Sequence, residues 1–290
     1  MRQFVLPDYW DGGPRCRVPS KDARHLVRVL RLGLGDRFPA IDAQERRHLC
    51  EILEIEEGVL SLAVGPAEGE SPASHRAEPL PDLRGGAPQA GSHRHGDPAD
   101  SLPPSKQATD ARNSHPRIVL AAAMLKGEKF DLVLRQATEA GVARIIPFTC
   151  ARSLGTTEGR NKRERQERIV REALQQSGSK VRTRIDEIAK LDELPDRLGE
   201  ATGRRLSLLL HEAPLVEIPL HRYLGDLADE IVLCVGPEGG FAPDEVEFLR
   251  GRGFQPLRLP GAVLRADTAA IFAIAAVEAI YSEQGAWNLA

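Results

Sequence analysis

The sequence predicts a parallel α/β domain preceded by a small β-barrel. Three observations carry this expectation. From Arg117 onward, apolar β-branched runs alternate with segments of helical period, the pattern of a parallel sheet with helices on both faces. The first 65 residues instead set short strand-like segments between turn residues, around one helix, which suits a barrel. Between the two, residues 66–115 contain no aromatic residue and no Ile or Val. They cannot build a core, and read as a disordered linker or surface insertion. The expected division is therefore 1–65, 66–115 and 116–290.

Composition narrows the class. The chain has 290 residues, of which 41% are hydrophobic, enough for a core in each part. A formal net charge of -3 excludes nucleic-acid binding by bulk charge and leaves only a local basic face for it. Cys16, Cys50, Cys150 and Cys234 form no CxxC pair and are expected to be reduced and buried. His93 and His95, in the middle segment, are better read as incidental than as metal ligands, so no metal is expected. No apolar run reaches the roughly 18 residues of a membrane span, and no signal-peptide core is present. A cytoplasmic location is expected.

Within the barrel, strands are expected at 3–5, 15–18, 37–43, 48–55 and 59–64. Ser20 is a good N-cap for a helix over 21–31, which Gly33 and Gly35 end. Leu26, Val29 and Leu30 share one face of it, and Arg24, Arg28 and Arg31 another. These arginines, with Arg2, read either as a solvated face or as a ridge contacting phosphates, to which the planar guanidinium is suited.

In the α/β part, strands are expected at 118–122, 143–148, 206–210, 231–235 and 255–259. Helices are expected at 128–140, 162–177, 192–201, 217–224 and 243–250. The 162–177 helix carries an excess of arginine, Arg168 included, over acids that pair at helical spacing. The last helix opens near Asp267 or Thr268, either of which can cap it, and is apolar almost all round. Such a helix is expected to be covered on more than one side, by a partner subunit as well as by its own sheet.

The chemistry-bearing stretch is Val235-Gly236-Pro237-Glu238-Gly239-Gly240-Phe241. A buried strand ends there, and Pro243-Asp244-Glu245 start a helix, with proline at the first turn and acids at the positive end of the dipole. A glycine loop leaving the carboxyl end of a parallel strand is where α/β proteins bind ligands. Neither GxxxxGK[ST] nor GxGxxG nor GxSxG is present, which removes the P-loop, the ordinary dinucleotide fold and the hydrolase elbow. Taken alone, the loop remains readable as a tight turn. A second short loop, Leu264-Arg265-Ala266-Asp267-Thr268-Ala269, argues against that.

Together these two loops resemble the paired signatures of RsmE-type methyltransferases of the SPOUT superfamily. The resemblance extends in order through Met1-Arg2-Gln3-Phe4, the helix before Gly35-Asp36, Lys126-Gly127-Glu128-Lys129, Gln136-Ala137-Thr138-Glu139-Ala140-Gly141-Val142, Arg152-Ser153 and Gln176-Ser177-Gly178. It covers everything except 66–115. It implies a PUA-like β-barrel for RNA and an α/β trefoil-knot domain that binds S-adenosylmethionine as a homodimer. The implied reaction is N3-methylation of a uridine in 16S rRNA of the small ribosomal subunit. Carried onto matching positions, the resemblance implicates Leu210, His211, Gly236, Glu238, Gly239, Leu259 and Leu264 in cofactor binding, mostly through backbone groups. Arg265 and Asp267 become the catalytic candidates, with Asp267 also readable as a helix cap. Arg2, Arg28, Arg31, Arg152 and Arg168 are the candidates for holding RNA. Four departures stand out: Ala266 and Asp267 where the family has threonine and glutamate, Ala151 for a common glutamate, Gln175 for a frequent acid, and the long middle segment. The alternatives are a related enzyme acting on another rRNA or tRNA position, and an RNA-binding module without activity.

Overall fold

The computed structural model describes residues 3–19, 23, 26–27, 31–56, 59–68, 115–153, 159–201, 203–212, 218–225 and 228–287. The expected linker lies outside them except at its ends. Of the expected helix over 21–31, only Ala23, Leu26, Val27 and Arg31 are described. Ala23 and Leu26 are buried, while Arg31 has a φ of 58°.

The N-terminal part is a curled five-stranded sheet, PUA-like in class. Its strands are β1 (Phe4–Val5), β2 (Arg15–Pro19), β3 (Arg37–Ile41), β4 (Arg47–Glu56) and β5 (Val59–Ala67), in the order β1-β3-β4-β5-β2. Two register shifts between β4 and β5 mark the irregularities that let a sheet bend. Because β5 continues through Ala67, the barrel reaches two residues past its expected end. Phe4, Val18, Phe38, Cys50, Ile52, Leu60 and Leu62 fill the inside, following the strict alternation of β2.

The turn joining β3 to β4 holds a buried polar cluster. Asp42 is fully buried; its Oδ1 accepts from the main-chain N–H of Gln44 (2.8 Å) and Arg46 (2.9 Å). Its Oδ2 accepts from Arg46 Nε (2.8 Å) and lies 3.0 Å from His48 Nε2. Burial alone would raise the Asp42 pKa, but the hydrogen bonds from His48, Arg46 and Gln44 outweigh it and hold the carboxyl below its ordinary 3.8. Asp42→Ala strands these donors and should cost about 3–5 kcal/mol in chemical denaturation at neutral pH. Because the folded pKa is depressed, this stabilisation is complete above the unfolded value and lost as pH falls through the folded one. The gap between wild type and variant should therefore narrow below about pH 4.

The second sheet is wholly parallel. Its strands are β6 (Arg117–Ala123), β7 (Arg144–Thr149), β8 (Arg184–Ile185), β9 (Ala189–Lys190), β10 (Arg205–Leu210), β11 (Glu230–Val235) and β12 (Gln255–Leu257). They run in the order β12-β10-β11-β6-β7-β8, with β9 also on β7. Helices α1 (Lys129–Glu139), α2 (Arg160–Ser177), α3 (Leu194–Leu198), α4 (Leu220–Tyr223), α5 (Pro243–Gly251) and α6 (Ala266–Trp287) connect and flank them. The central strands divide their side chains between two cores. Ile231, Leu233 and Val235 enter one core, and Val232 and Cys234 the other, so β11 is buried on both faces as expected.

Three expectations are corrected. The helix expected over 192–201 is a 3-10 turn, Leu191–Glu193, followed by the five-residue α3. Gly199, at φ +65°, follows α3 directly. The last strand stops at Leu257, its final partner on β10 being Leu210. Cys150 is half-buried rather than buried, while Cys16, Cys50 and Cys234 are buried and all four are free.

The two parts are joined rather than strung together. Val5 and Ile41 of the first sheet enter the core of the second. Gln3 Nε2 donates to the carbonyls of Leu174 (3.3 Å) and Ser179 (2.9 Å), and Arg47 Nη2 donates to Gly178 O (3.0 Å). Gln3 N also donates to Gln175 O (3.3 Å), one of the carbonyls that the last turn of α2 leaves without a helical partner. Helix α6 returns from the β12 edge to pack on α1, β11 and β6. It buries Ala270, Ala273, Ile274, Val277 and Tyr281, while Phe272 remains 44% exposed. Among the described residues, only one side of α6 is covered. No helix among the described residues is long and apolar enough to cross a membrane.

Candidate active site

Strands β10, β11 and β12 are neighbours, so the loops leaving their carboxyl ends converge. They enclose a cavity of about 570 Å³, walled by Leu210 and His211 after β10, by Val235 to Glu238 with Gly240 and Phe241 after β11, and by Leu257 to Leu259 with Gly261 to Ala266 after β12. His211 N donates to Leu257 O (3.0 Å), which ties the first and third loops together.

The glycines of the second loop have distinct reasons. A Cβ on Gly236 would stand 2.9 Å from Phe241 Cε2; that ring is stacked on Phe148 at 6.2 Å and 11°. Gly240 sits at φ +68° and donates its N–H to Pro237 O (2.9 Å). Gly239 packs against Arg152, a Cβ there meeting the Arg152 Cβ at 3.3 Å, and its carbonyl accepts from Arg152 Nη1 (2.8 Å). Glu245 fastens the far end: its carboxylate accepts from Ala242 N (2.8 Å) and Ala151 N (2.7 Å).

Charged groups ring the cavity. Lys129 Nζ donates to Glu238 Oε1 (3.0 Å). Burial would raise the Glu238 pKa, but the Lys129 hydrogen bond and charge, with the main-chain N–H groups of Glu238 itself and Lys126, hold it below the ordinary carboxylate value. Arg152, Arg258 and Arg265 line the cavity too. The Arg265 side chain is exposed and, among the described residues, is paired with neither Asp267 nor Glu238; its main-chain carbonyl accepts from Ala269 N (2.7 Å), the first hydrogen bond of α6. That corrects the expected cap. Helix α6 begins at Ala266, and Asp267 lies within the first turn. Asp267 does not line the cavity, and its Oδ1 is buried with no hydrogen-bond partner among the described residues. Among the described residues, no group of three His, Cys, Asp or Glu side chains is placed to hold a metal ion.

Of the residues expected at the site, Leu210, His211, Gly236, Glu238, Leu259, Leu264, Arg265 and Arg152 line the cavity, and Gly239 stands just behind it against Arg152. Arg31 and Arg168 do not line it; Arg168 lies 3.9 Å from Glu172, both exposed. Arg163 and Arg165 on the same helix pair with Glu167 (2.7 Å) and Asp131 (2.5 Å). Arg2 and Arg28 lie outside the described residues. Sequence reasoning did not single out Lys129 or Arg258. The only signal for Lys129 was its place in Lys126-Gly127-Glu128-Lys129, where Gly127 has a φ of +66°.

A parallel sheet flanked by helices, with a cavity clasped by three adjacent loops and a PUA-like curled sheet preceding it, is the fold of the SPOUT class. The model of the RNA methyltransferase domain matches residues 112–278, and that of the RNA methyltransferase PUA domain matches 18–62. Ribosomal RNA small subunit methyltransferase E of Synechocystis is 34% identical over 56% of this chain and 53% of its own length; the chain thus spans about half of that relative. The enzyme of the same name from Bacillus subtilis is 26% identical over 91% of this chain and 90% of its own. The fold also matches a ribosomal RNA small subunit methyltransferase E from Neisseria gonorrhoeae bound to S-adenosyl methionine, with a TM-score of 0.69 and 22% identity over 97% of this chain and 98% of that one. The chain belongs to the RsmE-type RNA methyltransferase family.

Proposed function

We propose that this chain uses S-adenosylmethionine to methylate N3 of a uridine in 16S rRNA of the small ribosomal subunit. The observation that carries the reading is the cavity shared by the loops after β10, β11 and β12. Its volume suits a ligand of that size. Its walls offer apolar side chains and main-chain groups beside glycines, as a ring edge in need of fixed donors and acceptors requires. Leu210, His211, Gly236, Glu238, Gly239, Leu259 and Leu264 hold the cofactor, which supplies an electrophilic methyl group.

The chain's remaining task is to orient uracil N3 in line with that methyl group and to deal with the N3 proton. Arg265 faces the cavity with its guanidinium available and stabilises the negative charge that develops on the uracil as N3 loses its proton. Asp267 lies one residue behind the wall, and its unpartnered Oδ1 is the candidate to accept the proton. Arg2, Arg28, Arg31, Arg152 and Arg168 contact RNA phosphates. The exposed side of α6, with Phe272, Ala276 and Ile280 beside Ile218 and Leu220, is covered by a second copy in a cytoplasmic homodimer. The barrel, through Ala67, binds RNA, the segment after it is a linker, and 116–290 is the methyltransferase domain.

Nucleoside mass spectrometry of 16S rRNA from a deletion strain tests the reading. One N3-methyluridine should vanish and return with the purified protein and S-adenosylmethionine. An unchanged rRNA with an altered tRNA would move the substrate, and no calorimetric binding of S-adenosylmethionine would leave a binding module.

A further inference from the structure

The Lys129–Glu238 pair has no part in the chemistry above, yet it forms part of the cavity wall. Lys129 is the first residue of α1, where the positive end of the helix dipole disfavours a cation. Glu238 compensates it from 109 positions away. The pair is open, with side-chain exposures of 39% and 30%, and so contributes little to folding. What it presents is an ammonium and a carboxylate side by side. Lys129 Nζ uses one of its three donors on Glu238 Oε1. Arg152 is engaged by the Gly239 carbonyl, while Arg258 and Arg265 stand on the β12 loop.

An α-amino acid group offers the complement of such a pair, a carboxylate and an ammonium on one carbon. We propose that Lys129 and Glu238 together read the zwitterionic amino-acid tail of the cofactor, its carboxylate at Lys129 and its ammonium at Glu238. This rests on the S-adenosylmethionine reading of the site. It makes Lys129 a binding residue and gives the Glu238 side chain a role beyond its backbone.

Calorimetry with three ligands tests it: S-adenosylhomocysteine, which has the whole tail; its carboxylate-free amine analogue; and 5′-methylthioadenosine, which has no amino-acid tail. Lys129→Met should weaken S-adenosylhomocysteine roughly 10–100-fold, and leave 5′-methylthioadenosine within about twofold, as loss of a charged hydrogen bond predicts. It should leave the amine analogue unchanged as well, whereas Glu238→Gln should weaken that analogue. Retained 5′-methylthioadenosine binding would also show the variant cavity to be intact. If both variants lost 5′-methylthioadenosine in step with S-adenosylhomocysteine, the pair would only shape the loop and the proposal would fall. If wild type bound none of the three, the reading of the site itself would fall, and the proposal with it.

Discussion

Arg265→Ala is expected to slow single-turnover methylation of small ribosomal subunits by about 10²–10³-fold, the scale of removing one group that stabilises developing charge. Its S-adenosylmethionine affinity should stay within about twofold, because a contact made to the reacting uracil is not a contact to the cofactor. The geometry separates these effects from folding. The side chain is exposed on the cavity wall, and what Arg265 gives to the fold is its main-chain carbonyl, which accepts from Ala269 N (2.7 Å) and survives truncation. Arg265→Lys keeps the charge but loses the planar fork and should recover only part of the rate. A variant with unchanged rate but raised KM would instead make Arg265 a phosphate contact, and one with wild-type values of both would remove it from the chemistry.

Much of the fold was legible because strong local signals agreed with tertiary need. The run from Ile231 to Val235 is apolar at every position, and in the sheet it feeds both cores. The glycine loop was legible for the same reason: Gly236 and Gly240 each occupy a place where a side chain meets a ring or the backbone takes a positive φ. Short elements fixed by neighbours rather than by pattern were not legible. Strands β8 and β9 have two residues each, too few for a period, and exist because β7 offers them an edge. The helix expected over 192–201 had the composition but not the room once Gly199 turned the chain. Asp267 reads as a cap because side-chain caps are what a sequence displays; α6 begins one residue earlier, at Ala266, and places Asp267 inside its first turn. Lys129 and Glu238 meet across 109 positions, and no local rule links them.

Gly236→Ala is expected to weaken S-adenosylmethionine about 100-fold or more and to cost roughly 1–3 kcal/mol of stability, the usual penalty of overpacking a closed site. The added Cβ would lie 2.9, 3.0 and 3.3 Å from three atoms of the Phe241 ring. That ring cannot easily retreat: Phe241 is 4% exposed and Phe148, stacked beneath it, is fully buried, in a core where side chains are close-packed. The strain therefore falls on the softer partner, the loop backbone, which must shift into the cavity. Gly240→Ala is the informative contrast. No described residue lies within 4 Å of its Cβ, and only the φ of +68° opposes it, a cost of about 1–2 kcal/mol of local strain without a clash. Its effect on affinity should be the smaller of the two. Trimming the obstacle decides the cause: in Gly236→Ala/Phe241→Leu the ring is gone, so calorimetry should recover much of the lost affinity, although the core loses packing. A double variant binding no better than Gly236→Ala would mean that the glycine is required by the ligand's approach to the backbone rather than by the ring behind it.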